Sequence, residues 1–143
     1  MQGCWTDERN VQPMNKEILF NQVIHQYQFE VESWRRLLTF QKEELVFFKN
    51  RLAEVINSSP ESDELFVVEA FQEEFLSQEK VIAYLSGELK RQLKLIEKEL
   101  YLDGAVFMQM QREQKELRRE FCKAEDLFQG IKNRFVQYLV DLY

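Results

Sequence analysis

Histidine occurs once in this chain, at His25, and that scarcity removes most of the chemistry a helical protein could carry. Di-iron bundles need Glu-x-x-His on two helices, and the residue three before His25 is Gln22. Zinc sites need clustered Cys and His, and a Ser or Cys nucleophile needs a base beside it. The four glycines are scattered singly, so no phosphate-cradling loop is present. The cysteines are only two, Cys4 in an N-terminal tail and Cys122 inside a helical stretch. They do not make a disulfide framework and read as reduced thiols, Cys122 as an idle one. No apolar run approaches the roughly 18 residues needed to cross a membrane. No basic and apolar leader opens the chain, so a cytoplasmic location is the expectation.

Charge excludes further partners. The net charge is −6, from 19 basic and 25 acidic residues, which repels nucleic acid unless cations cluster. The densest basic run is Arg112, Lys115, Arg118, Arg119 and Lys123, and Glu113, Glu116 and Glu120 interrupt it. Pairs such as Glu43-Glu44 and Glu73-Glu74 read as solvated faces. The expectation is therefore no enzyme, no cofactor, no metal site, no nucleic acid and no membrane.

The 143 residues are 45% hydrophobic, with 12 Phe, 5 Tyr and 2 Trp, which is enough for one well-filled core. Only two prolines are present, Pro13 and Pro60, so long helices are favoured over a sheet. The apolar pattern agrees. Phe20, Ile24, Tyr27, Val31, Trp34, Leu38, Gln41, Leu45, Phe48, Leu52 and Val55 follow one another in steps of four and three. This is a heptad seam of about five repeats, with Ile24, Val31, Leu38, Leu45 and Leu52 at a and the others at d. Trp34 is expected at the centre of the core.

The pattern predicts three helices, over about 15–57, 60–102 and 105–143, in an antiparallel coiled-coil-like bundle. Residues 1–14 are expected to form a flexible tail, or to lay Trp5, Val11 and Met14 on a helix flank. Asn57 to Asp63 is the clearest boundary, with Ser59 suited to cap and Pro60 to the first turn. The second stripe is Val68, Phe71, Phe75, Gln78, Ile82, Leu85 and Leu89, then Leu93, Ile96 and Leu100, which implies a stutter after Leu89. The third is Phe107, Met110, Gln114, Leu117, Phe121, Ala124, Phe128, Ile131, Phe135, Tyr138 and Leu142. Asp103-Gly104 reads as a tight turn with Gly104 closing the helix. The seam stays in phase across it, so the alternative is one continuous helix in an intertwined dimer.

Charge favours the hairpin. Folded up-down-up, the acidic first half of helix 2 lies beside Lys49, Arg51, Lys132 and Arg134. Its basic second half lies beside Glu30, Glu32, Glu113 and Glu116. The same folding brings Gln41 near Gln78 and Gln114 near Gln92. Buried amides need partners, so such layers would fix register.

One apolar feature exceeds what a bundle needs. Leu19, Phe40 and Phe47 fall at c, and Val23 and Leu37 at g, so the first helix carries a second stripe beside its seam. Cover by the N-terminal tail or wide packing against helix 3 is the structural explanation. A contact surface for a second copy or another protein is the functional one. The reading is a non-catalytic interaction or scaffold protein, self-associating through helix 1. The runner-up is a sensor or carrier bundle holding a small apolar ligand among its Phe-rich layers.

Overall fold

The computed structural model describes residues 16–58 and 62–143. Helix α1 spans Lys16–Ser58, α2 spans Ser62–Glu97 and α3 spans Gly104–Leu142, with a short 3-10 turn at Leu100–Leu102. There is no strand among the described residues, and the protein is an all-α helical bundle. The tail expected over 1–14 and the cap expected at Ser59-Pro60 lie outside the described residues.

The helices contribute to two compact units. The first contains 16–36 and Leu85–Cys122; the second contains Leu37–Tyr84 and Lys123–Tyr143. In the first unit, Gln92 donates to the Met110 carbonyl at 3.0 Å and to Gln114 Oε1 at 2.9 Å, and with only a short connection between Glu97 and Gly104, α2 and α3 run antiparallel there. Trp34 stacks on Phe121 at 5.0 Å, and Phe20 meets Phe107 at 4.8 Å, so α1 and α3 run parallel. In the second unit, five buried rings (Phe48, Phe71, Phe75, Phe128 and Phe135) touch one another at centroid distances from 5.2 to 6.4 Å. The pairs are stacked, tilted or edge-on, and offset-stacked and edge-to-face arrangements are the favoured aromatic geometries.

Heptad positions become buried positions almost throughout. On α1, Ile24, Tyr27, Val31, Leu38, Gln41, Leu45, Phe48, Leu52 and Val55 are buried. Trp34 is a correction: it is only half-buried, with its indole flat on Phe121 at an interplanar angle of 11°. A ring stacked through one face at the rim leaves its other side wet, which suits a residue seldom fully enclosed.

The expected stutter in α2 is a second correction. Leu85, Leu89, Gln92 and Ile96 are buried while Leu93 is half-buried and Leu100 is 45% exposed. The heptad continues unbroken through Gln92. Hydrophobicity favoured Leu93, but a glutamine with hydrogen-bond partners takes the seam position.

The hairpin between α2 and α3 is present, but it is built differently from the expectation. Helix α2 ends at Glu97, and Glu99 turns the chain with φ 54 and ψ 30, a left-handed conformation costly for a residue with a Cβ. Asp103 then caps α3, its Oδ1 accepting from the Ala105 amide at 2.9 Å and the Val106 amide at 3.4 Å. Gly104 is the first residue of α3, has no positive φ and leaves open space around a built Cβ. It therefore does not close α2. Replacing Glu99 with glycine should raise stability by about 1 kcal/mol, whereas Asp103→Ala should lower it by about 0.5–2 kcal/mol. Denaturant melts of both variants check this; a Glu99→Gly protein less stable than the parent would contradict the turn geometry.

Candidate functional site

The flanks of α1 are assigned by their partners. Glu30 and Glu44, at g, reach Arg118 and Lys132 of α3, while Lys49, at e, pairs with Glu79 of α2. The g flank is thus turned to α3, and the stripe of Leu19, Val23, Leu37, Phe40 and Phe47 borders the α1–α3 side. The structure divides that stripe. Leu19 and Val23, in the first unit, are half-buried, as is Leu37 in the second. Phe40 is 55% exposed and Phe47 59% exposed, both in the second unit. The g residues Val23 and Leu37 are partly covered, and among the c residues Leu19 is too, whereas Phe40 and Phe47 are not. Phe47 is held edge-on to the buried Phe48 at 6.2 Å, and Val46 beside it is also exposed.

Further apolar side chains off the seam are exposed beyond the stripe on α1. Phe29, Phe66 and Val140 are among the most exposed apolar side chains. All three fall at f, the position farthest from the seam. An apolar residue at f was the signal that could have singled them out.

The first unit also holds a buried polar constellation. Gln114 is 0% exposed. Its Oε1 accepts from Gln92, and its Nε2 donates to the Tyr27 carbonyl at 3.2 Å and Glu30 Oε1 at 3.3 Å. Arg118 clamps Glu30 through two hydrogen bonds of 2.7 Å each. Its guanidinium also stands 5.7 Å from the centre of the Tyr27 ring. The Gln92–Gln114 layer is as expected. The Glu30–Arg118 pair is not: charge matching had placed Glu30 beside the basic half of α2. Two of the expected interhelical pairs form, Lys49 with Glu79 and Arg134 with Glu74. Arg51 instead bonds Glu54 one turn along α1, and Lys132 bonds Glu44.

In the second unit, Gln41 donates to Glu125 at 2.6 Å, and Gln78 donates to the Ala124 carbonyl at 3.4 Å. The two glutamines therefore approach neighbouring residues of one turn of α3. Gln41 Oε1 is buried without a hydrogen-bond partner.

The constellation in the first unit is chemically saturated. Burial pushes the Tyr27 hydroxyl up from its ordinary value of 10.0; Arg118 and a hydrogen bond from Gln111 oppose the shift, and Glu30 adds to it. Arg118 is held charged more firmly than usual, chiefly by its hydrogen bonds to Glu30. A fixed guanidinium, a carboxylate it neutralises and two mutually satisfied amides form a structural clasp. Among the described residues no group of three or more His, Cys, Asp or Glu is placed to hold a metal ion, and no helix is long and apolar enough to cross a membrane.

Cys122 corrects the sequence reading. It is half-buried on α3 and disulfide-bonded, not an idle thiol. The chain's other cysteine, Cys4, lies outside the described residues. No protein family, no curated protein and no solved structure matches this chain, so its function is argued from its own residues.

Two outcomes follow from the clasp. Glu30→Ala leaves Arg118 and the Gln114 amide short of partners. Discounted for the 28% exposure of the Arg118 side chain, the loss should be about 2–3 kcal/mol, read from denaturant midpoints; a loss below about 0.5 kcal/mol would show the pair to be ornamental. The second outcome concerns alkaline pH. A proton held more tightly in the folded chain stabilises it below the unfolded tyrosine range, and that stabilisation is lost as pH rises through and past that range. Stability should therefore fall above about pH 10, and fall less steeply in Tyr27→Phe. Equal slopes for the two proteins would contradict the raised Tyr27 value.

Proposed function

We propose that this protein is a non-catalytic interaction or scaffold module that associates with a second copy of itself through α1. The observation that carries the reading is the pair Phe40 and Phe47, spaced one heptad apart and more than half exposed beside a helix that already buries its seam. An aromatic ring buries about 150–250 Å² when covered and is a favoured anchor at the centre of an interface. The surrounding residues of α1 carry both signs, with Lys42, Glu43, Lys49 and Glu54 close in sequence. Such a face suits a partner that is also of mixed charge, as a second copy is, better than a strongly basic or acidic one. The five-ring cluster of the second unit packs ring against ring, which speaks for a filled core in preference to a carrier of small apolar ligands.

Replacing both Phe40 and Phe47 with glutamate tests the reading. The double variant should remain helical and melt within about 1 kcal/mol of the parent, since neither ring belongs to the seam. Light scattering should show the parent as a dimer and the variant as a monomer. A parent that is monomeric at every concentration, or a variant of unchanged mass, would remove the case for self-association.

A further inference from the structure

We propose that two copies of this chain pair antiparallel about a two-fold axis at Phe47, each laying its α1 along the α1–α3 groove of the other's second unit. This arrangement rests on the self-association proposed above and adds an orientation, a register and a surface on α3. The groove is marked by Lys132 of α3, which bonds Glu44 of α1. Val136 lies one turn beyond Lys132 and Leu139 repeats its heptad position, so both border the same groove. Phe48 meets Phe135 at 5.4 Å, which sets the levels of the two helices. Val136 is then level with Lys49, Leu139 with Leu52 and Tyr143 with Ile56. Val136 is 44% exposed, Tyr143 is 77% exposed and Leu139 is half-buried. An apolar path therefore continues from Phe40 and Phe47 on α1 to the last turn of α3.

Charge and ring positions select this register. A parallel pair brings identical residues level and crowds Glu43 and Glu44 of one copy against those of the other. An antiparallel pair with Phe40 facing Phe47 sets Glu43 on Glu43 and Glu44 on Glu44. Like charges so placed oppose association. A two-fold at Phe40 gains Arg36–Glu43 pairs, but it carries the second copy's Phe47 to Ser33, whose hydroxyl donates to the Phe29 carbonyl and accepts from Arg36. An exposed ion pair decides less than a covered aromatic ring. With the two-fold at Phe47, that ring meets its own counterpart beside Val136. Glu44 comes level with the second copy's Arg51 and Glu43 with its Asn50, each twice. Glu44 bonds Lys132 through Oε2, while its buried Oε1 has no hydrogen-bond partner, so a turn of the carboxylate offers Arg51 an acceptor. The second copy's Phe40 falls between Leu139 and Tyr143, opposite Glu54, whose charge Arg51 already meets along α1.

Distances between spin labels on the full-length protein test the arrangement. A genetically encoded spin-labelled residue in place of the exposed Asn57 leaves the native cysteines alone. In the dimer the two labels should lie about 30 Å apart along the helix axes, at 1.5 Å per residue. A separation of about 40 Å or more, as the other antiparallel registers give, or below about 20 Å, as a parallel pair gives, would overturn the register while self-association stands. A parent that is monomeric by light scattering would remove self-association, and this arrangement with it. Charge reversal gives a second reading. Arg51→Glu and Glu44→Arg should each weaken the homodimer about tenfold. The two variants mixed should pair as tightly as the parent, because every cross-contact then joins Glu to Arg. A mixture no tighter than either variant alone would overturn the arrangement.

Discussion

A buried side-chain amide that loses its partners costs about 1–3 kcal/mol, and the first unit is arranged so that Gln114 never does. That one side chain, fully enclosed on α3, touches α2 through Gln92 and α1 through the Tyr27 carbonyl and Glu30. Leucine at this position would pack in several registers. Glutamine is satisfied in one, because sliding either neighbour by a turn strands a donor or an acceptor. Arg118 extends the constraint by neutralising Glu30, so a carboxylate that would otherwise be costly to bury becomes the fixed acceptor of the layer.

The second unit is held differently. Its centre is apolar, with Phe75, Phe128 and Phe135 almost wholly enclosed and locked by ring geometry. Its polar layer is less complete: Gln41 satisfies its amide nitrogen on Glu125 and leaves its oxygen without a partner. Shape complementarity among large rings supplies the energy there, while hydrogen bonding supplies specificity in the first unit. Phe40 and Phe47 lie outside both schemes.

Much of this was legible in the residues, because a heptad is a statement about one helix face and needs no knowledge of the partner. The α1 seam and the Gln92–Gln114 layer follow from spacing and from the rule that amides pair. What failed did so for physical reasons. The stutter at Leu93 came from ranking leucine above glutamine for a buried place, when hydrogen bonding decides between them. The turn was assigned to Asp103-Gly104 on propensity, but aspartate served as an N-cap and Glu99 took the left-handed conformation without glycine's advantage. The Glu30–Arg118 pair was missed because net charge along a helix does not say which neighbour lies nearest at each turn. The stripe from Leu19 to Phe47 is periodic throughout, yet Leu19, Val23 and Leu37 are partly covered while Phe40 and Phe47 are left exposed. The state of Cys122 was not legible from spacing, which does not show whether a single cysteine in a helix is bridged.

The central claim is that the Gln92–Gln114 layer specifies register, and a double-mutant cycle measures it most directly. Gln92→Leu, Gln114→Leu and the double variant should be compared with the parent by denaturant unfolding. If the layer acts as a unit, each single change strands its partner and the double change relieves that penalty. The interaction energy should then exceed about 1 kcal/mol. Losses that add within about 0.3–0.5 kcal/mol would show two independent core positions and contradict the claim.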